Sequence, residues 1–162
     1  HIASFGTAVR IVDAGGVDIS DLVITGEDQP AGPPEVGILA LNSRGLRITG
    51  NTVARTFLGI FVRGGGSGAN TIKSNTVAGA QNGQLGICYN PAPGAPAETD
   101  GPQGAVITGN QVSRFNVGIQ TSLASRGNIF ADNYVAYFEN AIDERTPGSN
   151  VFTDNQTVQI TK

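Results

Sequence analysis

"RGLRITGNTVARTFLGIFVRG" (residues 44–64) and "QGAVITGNQVSRFNVGIQTSL" (residues 103–123) run through the same Ile-Thr-Gly-Asn-x-Val core. Both reach Gly-Ile eight residues after the Asn. Outward from this pair, further copies stand at "IKSNTV" (72–77), "FADNYV" (130–135) and "FTDNQT" (152–157). The Asn falls at 51, 75, 110, 133 and 155, with spacings of 24, 35, 23 and 22 residues. An earlier segment, "VITGED" (23–28), keeps the apolar spacing and is read as a copy with Glu27 in the Asn place. Gly-Ile recurs at 37–38, 59–60, 86–87 and 118–119, with Ala141-Ile142 in the last copy.

A period near 23 residues, built of short alternating apolar runs broken by Gly and Asn, points to a strand solenoid. No copy carries the single 3.6-residue apolar face a helical repeat needs. Three short strands and three turns fit each period, and coils about 4.8 Å apart make six of them a rod about 30 Å long. Ile48, Ile72, Ile107, Phe130 and Phe152 are expected in one inward file, and Val53, Val77, Val112 and Val135 in a second. Ile38, Ile60, Ile87, Ile119 and Ile142 make a third. One coil cannot bury such faces, but stacked coils can. The Asn residues are expected at turns, bonding to one another along the rod, with a partial second file at Asn70, Asn128 and Asn150.

Composition agrees. Of 162 residues, 23 are Gly, 14% are charged and 6% aromatic, while the apolar set leans to Val, Ile and Ala, which suits strands. A net charge of −3 leaves no basic footprint for nucleic acid, and no apolar run is long enough for a membrane helix. Cys88 is the one cysteine, so no internal disulfide is expected. The chain is read as a single all-β domain over residues 1–162, with "NPAPGAPAETDGP" (90–102) inserted in one turn. Four prolines stiffen that insertion, which favours a lid or contact arm.

These repeats resemble the right-handed parallel β-helix superfamily, which includes pectate lyases, polygalacturonases, alginate epimerases, phage tailspikes and periplasmic copper-site accessory proteins. The Ile-x-x-Asn-x-Val copies and the Gly-Ile markers carry the resemblance from about residue 8 to 160. It implies a right-handed single-stranded parallel β-helix, an extracellular or periplasmic setting, and a site on the sheet after the Gly-Ile marker. It assigns no residue a role, because function lives in sites placed on a fold.

Alternation along those strands sends two files outward: Leu39, Phe61, Cys88, Gln120 and Asp143, then Leu41, Arg63, Asn90, Ser122 and Arg145. Leu39, Leu41 and Phe61 form an apolar patch that fits a ligand surface or an interface, or lies under the loops at 27–36 and 90–102. Asp143, Arg145 and Arg63 are the candidate catalytic residues. Two arginines on near-adjacent coils are able to grip a carboxylate, and Asp143 or Glu144 to act as acid or base. Phe61, Tyr89, Asn90, Gln120 and Ser122 are the candidate substrate-binding residues. The alternative for Asp143 is a plain surface salt bridge.

Other chemistry is thinly supplied. His1 is the one histidine, so neither a Ser-His-Asp triad nor a His-based metal site is expected. No cofactor is expected; Ca²⁺ near Asp13, Asp18, Asp21, Glu27 and Asp28 is the one metal candidate, and that ion takes six to eight oxygen ligands, whereas such residues more often solvate turns. Cys88, expected outward beside Tyr89, has no adjacent base. Arg55 and Arg114 stand four residues after a ladder Asn, with Tyr137 in the same place on a later coil, on what reads as an anion-binding or solvated face. A Thr file at 25, 49, 108 and 153 is broken by Lys73 and Ala131, which argues against an ice-binding surface.

The leading reading is a carbohydrate-engaging domain whose partner is a polysaccharide or a small glycosylated substrate, with lyase or epimerase action on a uronic acid as its enzymatic form. The alternative is a structural module that self-associates, or meets a neighbouring domain, at its open coil ends.

Overall fold

The computed structural model describes residues 1–3, 6–27, 35–64, 69–90, 103–121, 125–145 and 149–161. Every strand pair in it is parallel. After β1 (Ile2–Ala3), each coil gives one strand to each of three faces. The first face holds β2 (Thr7–Val12), β5 (Val36–Leu41), β8 (Leu58–Arg63) and β11 (Leu85–Asn90), continued by the second halves of β13 (Gln111–Thr121) and β15 (Tyr134–Glu144). The second face holds β3 (Asp18–Ser20), β6 (Arg47–Thr49), β9 (Thr71–Lys73), β12 (Val106–Thr108), β14 (Ile129–Ala131) and β16 (Val151–Thr153). The third holds β4 (Val23–Thr25), β7 (Thr52–Thr56), β10 (Thr76–Gly79), the first halves of β13 and β15, and β17 (Gln156–Gln159).

The expected apolar files line the inside. Ile48, Ile72, Ile107 and Phe130 are wholly buried, as are Val53, Val77, Val112 and Val135, and Phe152 stacks on Phe130 with centroids 4.7 Å apart. The Gly-Ile marker has a steric cause. A Cβ on Gly37, Gly59, Gly86 or Gly118 would collide with Cγ1 of Val53, Val77, Val112 or Val135, and would press on the carbonyl of the next coil. The end coils carry Ala in the Gly place. Ala8 precedes Val9, which pairs with Ile38, and Ala141 lies on the last coil, where Thr157 pairs with Val135 in the valine file.

Asn51, Asn75, Asn110, Asn133 and Asn155 form an unbroken ladder. Nδ2 of each of the first four donates to Oδ1 of the next at 2.9–3.0 Å, and every Nδ2 donates to a carbonyl of the preceding coil, such as Asn110 to Ile72 at 2.9 Å. The left-handed backbone belongs to the residue before each Asn: Gly50, Ser74, Gly109, Asp132 and Asp154 all have positive φ. That bend turns the amide inward.

The first coil differs from the sequence reading. β4 pairs Val23 with Thr52 and Ile24 with Val53, so Leu22, not Glu27, holds the ladder position, and its N–H donates to Asn51 Oδ1 at 3.0 Å. The apolar spacing of "VITGED" imitated a copy, but the true one is Ile19 to Ile24, with the left-handed Asp21 just before Leu22. Thr25 accordingly pairs with Ala54, and Ser20 stands beside Thr49. Arg55 and Arg114 are exposed residues at β-bulges, with φ of 56° and 61°. Tyr137 pairs with Phe115, so it is not equivalent to Arg114.

Candidate functional site

Two outward files run along the first face in continuous register. One is Arg10, Leu39, Phe61, Cys88, Gln120 and Asp143; the other opens Val12, Leu41, Arg63 and Asn90. Arg10 and Val12 extend the files one coil beyond the sequence reading, because Ala8-Val9 stands there in place of the Gly-Ile marker. Val12 is exposed, whereas Leu39, Leu41 and Phe61 are half-buried, so the apolar patch is partly covered. The insertion from 91 to 102, the loop from 28 to 34, Ser122 and the side chain of Asn90 lie outside the described residues.

On the third coil of the face, the Arg63 guanidinium sits 5.7 Å from the Phe61 ring centroid, in cation–π range. At the C-terminal end of the face, Asp143 Oδ2 accepts from Gln120 Nε2 at 2.9 Å and from Arg145 Nε at 3.1 Å. Gln120 Oε1 lies 3.5 Å from Cys88 Sγ, so three neighbouring coils are joined side chain to side chain. The Asp143–Arg145 ion pair is a surface pair, with side chains 30% and 56% exposed, and contributes at most about 1 kcal/mol. Its value lies in aiming the carboxylate. Among the described residues, no bond reaches Asp143 Oδ1.

Three sequence expectations are corrected here. Tyr89 is not on the outer face: it pairs with Val62 and Thr121 in an inward file, is fully buried, and its hydroxyl accepts from Asn70 Nδ2 at 2.7 Å. Burial pushes its hydroxyl up to about 12, partly opposed by the Asn70 bond. Cys88 has the outward parity expected of it, yet it is buried, a short side chain between Phe61 and Gln120. Burial raises its thiol far above the usual range, against the pull of Arg63 and Arg145, so a thiolate nucleophile is disfavoured. Finally, Arg63 and Arg145 stand three coil steps apart, roughly 14 Å between their backbones along the rod. They are too far apart at the backbone to serve as the near-adjacent pair expected from sequence.

Glu144 belongs to the inward file, paired with Thr121, and accepts from Asn150 Nδ2 at 3.2 Å. It is a ladder partner and not an outer acid. Among the described residues no three His, Cys, Asp or Glu side chains converge as a metal site. Asp13 and Asp21 instead occupy left-handed turns with φ of 51° and 55°.

The fold and its ladder define a class of protein, the right-handed parallel β-helix. A family model described as a right handed beta helix region matches residues 36–161, and the chain belongs to that family. No curated protein and no solved structure matches it.

Proposed function

We propose that this is a carbohydrate-engaging β-helix domain whose ligand, an acidic polysaccharide, lies along the rod on the outer face of the first sheet. The observation that carries the reading is the spacing of its two cationic stations. Phe61 with Arg63 offers an aromatic face and a guanidinium at one station; Asp143 and Arg145 offer charged groups at the other, with the buried Gln120 behind Asp143. Roughly 14 Å between the arginines at the backbone suits two anionic groups on one extended chain. Arginine suits both stations, because its planar fork binds carboxylates and stacks on rings.

The enzymatic form of this reading is a lyase or epimerase acting on a uronic acid. Both reactions begin by removing the proton beside the sugar carboxylate, and Asp143 Oδ1 is the acceptor on this face for that proton. Arg145 then offsets charge developing on the carboxylate. Glycoside hydrolysis fits less well, because it needs a second outward carboxylate near Asp143 and the neighbouring Glu144 faces inward. Calorimetry with uronate oligomers of increasing length tests the reading. Affinity should step up once an oligomer spans both arginines; equal affinity for a monosaccharide and a long oligomer would contradict it.

An apolar stripe on the second face favours a second reading, a structural module that self-associates. Val106, Ile129 and Val151 pair in register along its outer side and are 36%, 41% and 55% exposed. Mass that rises with concentration and falls on Val151→Asp would support it.

A further inference from the structure

We infer that Cys88 is a positioning residue: its thiol donates to the Gln120 carbonyl and so reinforces the amide orientation that presents a donor to Asp143. The inference rests on the ligand reading above for its consequence, although its geometry stands alone. A carboxylate only accepts hydrogen bonds, so the end of Gln120 that lies 2.9 Å from Asp143 Oδ2 is the NH₂ group. The carbonyl end therefore faces Cys88 Sγ at 3.5 Å, and an acceptor there calls for a donor, which a thiol is and a thiolate is not.

The surroundings keep the proton in place. Cys88 is buried, and desolvation outweighs the pull of Arg63 from β8 and Arg145 from β15, while Asp143 from β15 acts in the same direction as burial. Were the amide reversed, its carbonyl would face the Asp143 carboxylate and its NH₂ the sulfur, exchanging a charge-assisted bond for a repulsion. With the amide so oriented, Gln120 and Arg145 both hold Oδ2, and chemistry on the ligand falls to Oδ1. On this account the cysteine at the centre of the face orients the carboxylate and attacks nothing.

The test follows the Gln120 side-chain amide by ¹⁵N NMR in the wild type, Cys88→Ala and Cys88→Ser, with Cys88→Val filling the space without a donor. Alongside it, binding to alginate and to polygalacturonate is measured. Removing the donor in Cys88→Ala or Cys88→Val should speed exchange of the Gln120 amide protons by about two- to tenfold, with Cys88→Ser restoring it to within about twofold. Alginate or polygalacturonate affinity should fall and recover in step. Unchanged amide signals in both Ala and Val variants, or no rescue by Ser, overturn the relay. If the amide behaves as stated while neither polymer binds the wild type, the relay stands and the ligand reading falls.

Discussion

Asn70 Nδ2 donates to the Tyr89 hydroxyl at 2.7 Å, and this bond repairs a break in the second asparagine file. That file holds Leu46, Asn70, Ala105, Asn128 and Asn150, and where Asn128 finds Asn150 at 2.8 Å, Asn70 finds only the methyl of Ala105. Tyr89, buried on the inward side of β11, takes the amide. Tyr89→Phe leaves that buried donor short of a partner and should destabilise the fold by about 1–2 kcal/mol in denaturant melts. Binding on the outer face should be unchanged.

The same residue gives the fold a dependence on alkaline pH. Tyr89 titrates near 10 in the unfolded chain and about 12 in the fold. Below pH 10 both states keep the proton. Between 10 and 12 only the fold keeps it, so stability should fall by about 1.4 kcal/mol per pH unit, near 3 kcal/mol in all. Chemical melts across this window should show the slope, and Tyr89→Phe should flatten it relative to wild type.

Position along the ladder should grade its energetics. Asn110 accepts from the backbone and side chain of Asn75, and donates to Ile72, Thr108 and Asn133. Asn110→Ala strands several of these buried groups and should cost about 3 kcal/mol. Asn155, on the last coil and half-buried, serves fewer groups, and Asn155→Ala should cost nearer 1 kcal/mol. Equal costs in urea melts would contradict the ladder account.

Gly59→Ala should be as damaging as a core substitution, because the new methyl meets Val77 Cγ1 and the Gly86 carbonyl at once. Overpacking of this kind costs about 1–3 kcal/mol. Val77→Ala in the same chain should relieve part of the loss, since it removes the side-chain clash and leaves the backbone one. A thermal-melt double-mutant cycle measures the coupling.

The inner coils were legible in the sequence because their constraints are local and repeated. An Asn after a left-handed residue and a Gly opposite a Val recur on every inner coil and spell out the ladder and the apolar files. The first coil was not, since Leu22 bonds to Asn51 through its backbone and leaves no amide to read. Tyr89 alternates with outward Cys88, so parity alone turns it inward, where the partner of its hydroxyl is Asn70, in another strand's turn. Parity placed Cys88 correctly in its file, yet parity says nothing of cover. The arginine spacing was legible, since the file Arg63, Asn90, Ser122, Arg145 already counts three coil steps, and the near-adjacent pairing did not follow from it. The link from Cys88 through Gln120 to Asp143 joins residues 32 and 23 positions apart and leaves no local pattern.

The carbohydrate reading meets its most direct test in affinity electrophoresis through gels of alginate, polygalacturonate and a neutral polysaccharide, comparing wild type with Arg63→Ala/Arg145→Ala. The account predicts that the acidic gels retard the wild type, that the double variant runs unretarded, and that the neutral gel slows neither. Retardation of the double variant equal to that of the wild type, or none of the wild type in any gel, would contradict it.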